Sequence, residues 1–468
     1  MRLINKEDIE LKSLAEPQQS FPIAPIQLTD ETMVERKMKI LNLMSEVNLD
    51  CLVIYGDLEH GSNFEYLTGF LTRFEEGMLV LHRDGNAYLL LGNENLNKAD
   101  KARLIAKSIH VPHFSLPNQP MDGEEPFETY LQRAGIKKNQ KVGLVGWKMF
   151  TTKQVDARKI YDTPYYIVQA LIHLVGEEKL ENYADFFIGG AKGARTTNNA
   201  NELAHYEFGA QLASFGLLKA LNQIEVGMSE MTLGNLLNQA GQRNSVVTIA
   251  AAGERFIKAN IYPTEKKLKQ GETLSLTVGY KGGLSSRAGY VARGEEDLPS
   301  DQKDYLEKVA KPYFAAVVSW LENMKINSIG ADIYNLIDKV LPQKKYHWHL
   351  NPGHLVADEE WMSSPIYPDS SEVLKSGMLL QIDIIPSVSG YAGASCESTI
   401  ALADEELRND LHKKYPLLWG NIVKRRSFLK DILNIQLPPE VLPMSDTVAY
   451  YRPFMLDKQA VLRKKQSR

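Results

Sequence analysis

Cysteine is nearly absent from this chain: Cys51 and Cys396 are the only two among 468 residues. Two thiols cannot build a disulfide framework, and so low a count points to a reducing compartment, the cytoplasm. Long apolar runs are missing as well. No stretch approaches the roughly 18 apolar residues that a membrane-spanning helix needs, so no membrane partner is expected. The opening, MRLINKEDIELKSL, is charged throughout and lacks the apolar core of a signal peptide. Neither sign of charge dominates. The 54 basic and 58 acidic side chains leave a formal net charge of −4, which argues against a nucleic-acid partner. The basic end Arg463-Lys464-Lys465 reads as a solvated tail. There is no low-complexity tract and no repeat with a period of about 20–50 residues. The last absence is local. Between Thr273 and Gly294 there is no Asp or Glu, only the cations Lys281, Arg287 and Arg293.

What is present is the balance of an ordinary globular protein, 44% hydrophobic and 24% charged, in a chain long enough for two or three domains. Residues 1–34, with Gln18, Gln19, Ser20, Pro22 and Pro25, read as an N-terminal extension. From Glu35 a helical pattern begins. It leads into the apolar run Leu49–Tyr55, a buried strand, and then into Gly77–Leu91, a hairpin turning at Asp84-Gly85. Short strand-like runs follow at 109–114, 141–145, 165–168 and 186–188, alternating with helical patches, which predicts an α/β first domain over 35–192. A boundary falls at Gly189–Gly193. Beyond it Asn198–Glu202 opens a long amphipathic helix, with Leu203, Phe208, Leu212, Phe215 and Leu218 on one stripe. The second domain, 193–468, then predicts helices at 229–242, 301–324, 330–341 and 405–433, and hairpins at 272–293 and 378–402.

Three segments carry a resemblance. Asn63-Phe-Glu-Tyr-Leu-Thr-Gly-Phe70 is the first. Gly353-His354, with Asp383 29 residues after the histidine in Gly377-Met-Leu-Leu-Gln-Ile-Asp-Ile-Ile-Pro386, is the second. Cys396-Glu397-Ser398-Thr399-Ile400 is the third. Together, over about residues 35–435, they resemble the creatinase, aminopeptidase P and methionine aminopeptidase superfamily. That resemblance implies a two-domain α/β chain: a creatinase-type N-terminal α/β domain followed by a pita-bread catalytic-type domain. It also implies a homodimer.

Peptidases of that superfamily hold two divalent ions with five protein ligands: two aspartates eleven residues apart on one hairpin, then a histidine and two glutamates. Two ions about 3.5–4 Å apart need several carboxylates to offset their repulsion. Here the later three positions match His354, Asp383 and Glu397, the aspartate being one methylene shorter than the family's glutamate. The hairpin positions fall on Thr277 and Ala288. The family's two substrate-handling histidines fall on Asn260 and Trp361. The resemblance therefore implies a degenerate metal site.

The residues themselves leave alternatives. A carboxylate in the apolar run 378–385 needs a cation, a donor or a proton, so Asp383 faces either a functional cavity or a structural arginine. Glu397 stands in the same relation, and two carboxylates sharing a cavity can act as an acid/base pair. His347 and His349 fall on one face at strand spacing: one reaches the cavity, or both lie on the surface. Ser285, Ser286 and Arg287 are either an anion contact or a plain hairpin. Cys396 reads as a buried, inert thiol. The aromatic stretch 446–454 lines the cavity or a dimer contact.

The expectation is a hydrolase of a C–N bond in a small-molecule substrate, creatinase-like and metal-independent. His354, Asp383 and Glu397 are its catalytic residues, with Asn260, Thr277, Ser286, Arg287, His349 and Trp361 binding substrate. No cofactor is expected. One alternative keeps a single divalent ion on His354, Asp383 and Glu397, as a mononuclear Xaa-Pro aminopeptidase or dipeptidase. Another is a pita-bread binding protein without catalysis.

Overall fold

The computed structural model describes residues 3–20, 24–190, 192–258 and 262–466. Two compact units result: Leu28–Thr196, and Met1–Gln27 together with Thr197–Arg468. The start of the chain is therefore no free extension. Its strand β1 (Ile9–Ser13) pairs antiparallel with the last strand of the chain and belongs to the second unit, since Ile4 and Ile9 are buried there.

The Leu28–Thr196 unit is built on a six-stranded sheet. Its strands are β2 (Cys51–Gly56), β3 (Gly77–His82), β4 (Ala87–Leu91), β5 (Lys107–His110), β6 (Val142–Val145) and β7 (Leu180–Asn182), in the order β5-β4-β3-β2-β6-β7. Every residue of the near-central β2 is buried, which is why it reads as one unbroken apolar run. The β3–β4 hairpin turns at Gly85, whose φ of 86° is the reason for a glycine there. Three segments differ from the sequence expectation: the expected 109–114 strand ends at His110, and Pro112–Phe114 forms a 3-10 turn. Tyr165–Val168 opens a helix running to Val175, and Phe186–Ile188 sits in the short helix Asp185–Ile188. Pro164 at the N-cap and an apolar pattern continued over eleven residues select the helix; a four-residue window is too short to separate the two periods. The Asn63–Phe70 motif is structural. Its helix Ser62–Thr68 ends at left-handed Gly69, Asn63 accepts from Arg195 at 2.8 Å, and the Tyr66 hydroxyl donates to Ala194 O at 3.0 Å.

The second unit opens with the Ala200–Gln223 helix. Asn199 caps it, and Glu202 closes a capping box. Two four-stranded sheets follow. One has the order β13-β10-β9-β8, from β8 (Ile249–Ala252), β9 (Thr273–Tyr280), β10 (Gly283–Tyr290) and β13 (Ser395–Glu397). The other has the order β11-β12-β14-β15, from β11 (His354–Leu355), β12 (Leu379–Gln381), β14 (Thr399–Leu402) and β15 (Val441–Pro443). The last strand, β16 (Ala460–Lys464), is the partner of β1. The expected 378–402 hairpin is thus divided. Its outer halves pair as β12–β14, while β13 crosses to pair with β10. Gln381 ties the sheets, donating to Leu284 O at 3.1 Å and accepting from Thr399 Oγ1 at 2.7 Å. The expected 405–433 helix breaks at Pro416 into Glu405–Lys414 and Pro416–Ser427, because proline cannot donate within a helix interior. Among the described residues no helix is long and apolar enough to cross a membrane.

Candidate active site

The site grows out of a two-residue period. In β9, the residues Leu274, Leu276, Val278 and Tyr280 pack with Leu212, Ala213 and Leu217 of the Ala200–Gln223 helix in one apolar core. The alternate residues Thr273, Ser275 and Thr277 carry hydroxyls and face the other way. Antiparallel register lines them up in two rows: Ser275, Ala288 and Ser395, then Thr277, Ser286 and Glu397. The Thr277 and Ser286 hydroxyls lie 2.7 Å apart. Thr277 and Ala288, the two positions matching the family's aspartates, therefore share one face with Glu397. Neither hairpin position carries a carboxylate.

The second sheet brings the remaining groups. His354 leads β11 and is fully buried; Asp383 lies just past the end of β12 and is 4% exposed. His354 Nε2 is 3.9 Å from Asp383 Oδ2 and 3.3 Å from Glu360 Oε1. His354 Nδ1 lies 3.1 Å from the Leu355 carbonyl, which can only accept, so Nδ1 carries a proton. The Trp361 ring stacks on the imidazole with centroids 5.2 Å apart. Glu397 Oε1 accepts from Ser395 Oγ at 2.8 Å. Asp383 Oδ1 is buried with no hydrogen-bond partner among the described residues.

Burial sets the electrostatics. It raises the Asp383 carboxyl to about 6, with Glu360 adding to the rise and His354 opposing it. Burial also pushes Glu397 well above the ordinary carboxylate range, and the Asp383 charge adds to the effect. For His354 burial acts downward, but Glu360 and Asp383 outweigh it and the imidazole is raised. Asp383, Glu360 and Glu397 are thus electrostatically linked, with His354 beside the first two.

The expected site residues separate cleanly. His354, Asp383, Glu397, Thr277, Ser286 and Trp361 belong to one neighbourhood. Arg287 does not. It points from the reverse face of β10, and its guanidinium donates to the carbonyls of Tyr450, Ser286, Glu397 and Thr447. It is a structural pin, since a buried guanidinium needs its donors satisfied. His349 is exposed, and His347 takes φ of 52° at the end of the helix Gln343–Tyr346, so the pair has no strand spacing. Asn260 lies outside the described residues. Glu360, six residues past His354, was missed, and its signal was the acidic run Asp358-Glu359-Glu360. Among the described residues no three His, Cys, Asp or Glu side chains are grouped so as to hold a metal ion.

Comparison with known proteins follows the two units. Residues 36–154 match the family model for the creatinase/prolidase N-terminal domain, and residues 204–404 match that for metallopeptidase family M24. No curated protein matches. Among solved structures, the Xaa-Pro dipeptidase from Bacillus anthracis is 18% identical with a TM-score of 0.60, over 80% of this chain and 96% of that one. A recombinant prolidase from Thermococcus sibiricus is 16% identical with a TM-score of 0.63, over 81% and 96%. The X-Pro aminopeptidase from Thermotoga maritima MSB8 is 16% identical with a TM-score of 0.59, over 79% and 95%. At these identities the likeness establishes the fold.

Proposed function

This chain belongs to the creatinase/aminopeptidase P superfamily of pita-bread proteins, and from that premise we propose that it hydrolyses a C–N bond in a small cationic molecule without a two-ion centre. The observation that carries the reading is Asp383 Oδ1, a buried, unpartnered acceptor. A substrate N–H group supplies the missing donor, and a bound guanidinium, amidine or amine favours the charged forms of Asp383 and Glu397, which burial alone holds toward their protonated forms. The reading is further supported by the hairpin, whose Thr277 and Ala288 offer no ligand oxygen of carboxylate type.

In this mechanism Asp383 and Glu397 grip the cationic end of the substrate. The Leu355 carbonyl holds the proton on Nδ1, so Nε2 is the atom of His354 that exchanges protons with substrate and water. Water adds its oxygen to the carbon of the scissile bond while Nε2 takes its proton. The same proton then passes to the departing nitrogen as the C–N bond breaks. Trp361 fixes the plane of the imidazole, and the Thr277 and Ser286 hydroxyls face the polar substrate. We further propose a homodimer, a small-molecule substrate as the only partner of the site, and a cytoplasmic location. Two buried, unpaired thiols support the last of these.

A second reading is supported by the family M24 match and by the order His354, Asp383, Glu397: one divalent ion on those three residues, and cleavage of Xaa-Pro peptides. The experiment that separates the two is an assay of chelator-treated protein on guanidino, amidino and amino amides beside Xaa-Pro dipeptides, with metal content measured on protein purified without chelator. Metal-free turnover of a cationic amide that falls at least about 100-fold in Asp383→Asn and Glu397→Gln is expected, on the scale of an acid/base group. Stoichiometric metal with metal-dependent Xaa-Pro cleavage would replace the first reading by the second. Binding without turnover would leave a binding protein.

A further inference from the structure

A concave site with none of the residues just described in its lining lies where the helices Glu405–Lys414 and Pro416–Ser427 meet the edge strand β15. It is a cavity of about 400 Å³, within the size range of small-ligand sites. Arg408, Arg426 and Lys430 line it together with Trp419, Val423 and Leu437, and no acidic side chain lines it. Three cations in one concavity repel one another unless something negative sits among them.

The three are not equally engaged. Arg426 tethers the following loop, donating to Pro438 O at 3.0 Å and Leu437 O at 3.2 Å and also to Val441 O. Its guanidinium is held below its ordinary range by burial and by the Arg408 charge, with Glu440 opposing. Arg408 uses one nitrogen on Ala403 O at 2.7 Å. Lys430 has no partner among the described residues. Donors from Arg408 and Lys430 therefore remain for a ligand, beside the flat Trp419 ring and the apolar Val423 and Leu437.

We infer that this cavity binds a small aromatic anion, a carboxylate or phosphate carried on a flat ring. The anion meets Arg408 and Lys430 while the ring packs on Trp419, and this holds whatever the chemistry of the His354 site. The basic rim alone would take any anion; the tryptophan and aliphatic wall select one with an apolar body.

The test is calorimetric titration of the full chain with phenyl phosphate, indole-3-carboxylate, inorganic phosphate, phenol and indole. At least one of the two aromatic anions is expected to bind with Kd below about 1 mM, and its uncharged ring and inorganic phosphate at least about tenfold more weakly. The comparison of the two anions tells carboxylate from phosphate. Arg408→Gln, Lys430→Gln and Trp419→Ala should each weaken binding about tenfold, the scale of one charge-assisted hydrogen bond or ring contact. Lys430 is exposed and Arg426 is left intact, so Lys430→Gln keeps the loop tethered; melting temperatures check that Arg408→Gln remains folded. No binding of either aromatic anion, inorganic phosphate binding as tightly as phenyl phosphate, or affinity unchanged in Arg408→Gln and Lys430→Gln would overturn the inference.

Discussion

Asp383 is buried, and that burial sets a pH dependence for stability. Its carboxyl is raised to about 6 in the folded protein, whereas an unfolded aspartate titrates near ~3.9. The folded state therefore binds this proton more tightly, and the wild type loses stability as pH rises from about 4 to 6, a deficit that persists above that range. Asp383→Asn removes the buried charge. It should raise stability by about 1–3 kcal/mol at pH 7, with the gain shrinking steadily toward pH 4.5, as read by urea denaturation at each pH. An equal effect at both pH values would mean that the carboxylate carries no burial penalty. Arg287 teaches the complementary lesson. A guanidinium next to a functional face looks like a ligand contact in the sequence, yet four main-chain carbonyls occupy it. Sequence identifies the donor; only the fold shows which acceptors reach it.

At the scale of elements, the β9–β10 hairpin is held against the Ala200–Gln223 helix by glycines on both sides. Gly209 in the helix has no room for a Cβ, which would overlap the Lys281 carbonyl oxygen, and a Cβ at Gly282, at φ of 99°, would overlap Tyr206 O. Ordinarily Gly→Ala in a helix gains about 1 kcal/mol. At Gly209 overpacking against rigid backbone outweighs that gain, and Gly209→Ala should lose about 1–3 kcal/mol net. Equilibrium denaturation decides the sign, and a stabilised variant would show that the hairpin turn moves freely. Element types with long, uniform periods were legible: β2, the β3–β4 hairpin, the capped Ala200–Gln223 helix and the β9–β10 hairpin. Short apolar windows such as Tyr165–Val168 were not, because four residues satisfy both the strand and the helix period. The strand exchange at Ser398, where β13 leaves one sheet and β14 enters the other, has no local signal at all.

At the scale of the molecule, the two ends of the chain close on each other. β1 pairs with β16 over Ile9–Ser13 and Ala460–Lys464, Arg463 meets Glu10 at 2.7 Å, and buried Lys464 pairs with Glu322. Ser20 reaches the buried Arg425–Asp446 pair, its hydroxyl donating to Asp446 at 2.5 Å. Removing residues 1–16 should cost the second unit about 3–5 kcal/mol, the burial of Ile4 and Ile9 plus an unpaired strand. Hydrogen exchange should rise in β16 and stay unchanged in the Leu28–Thr196 sheet. Unchanged protection of β16 would make the N-terminal strand dispensable.

The sequence alone determined the two-domain α/β order, the β9–β10 hairpin and the absence of acid from it, together with the capped start of the Ala200–Gln223 helix. All of these are properties of residue type at fixed spacing, and spacing survives without a third dimension. The tertiary structure decided the rest. It seated Glu360 and Trp361 against His354, left Asp383 Oδ1 without a donor, turned Arg287 to the reverse face and gathered Arg408, Arg426 and Lys430 around Trp419. Such neighbourhoods join residues far apart in the chain or set by irregular backbone, where no period in the sequence specifies direction.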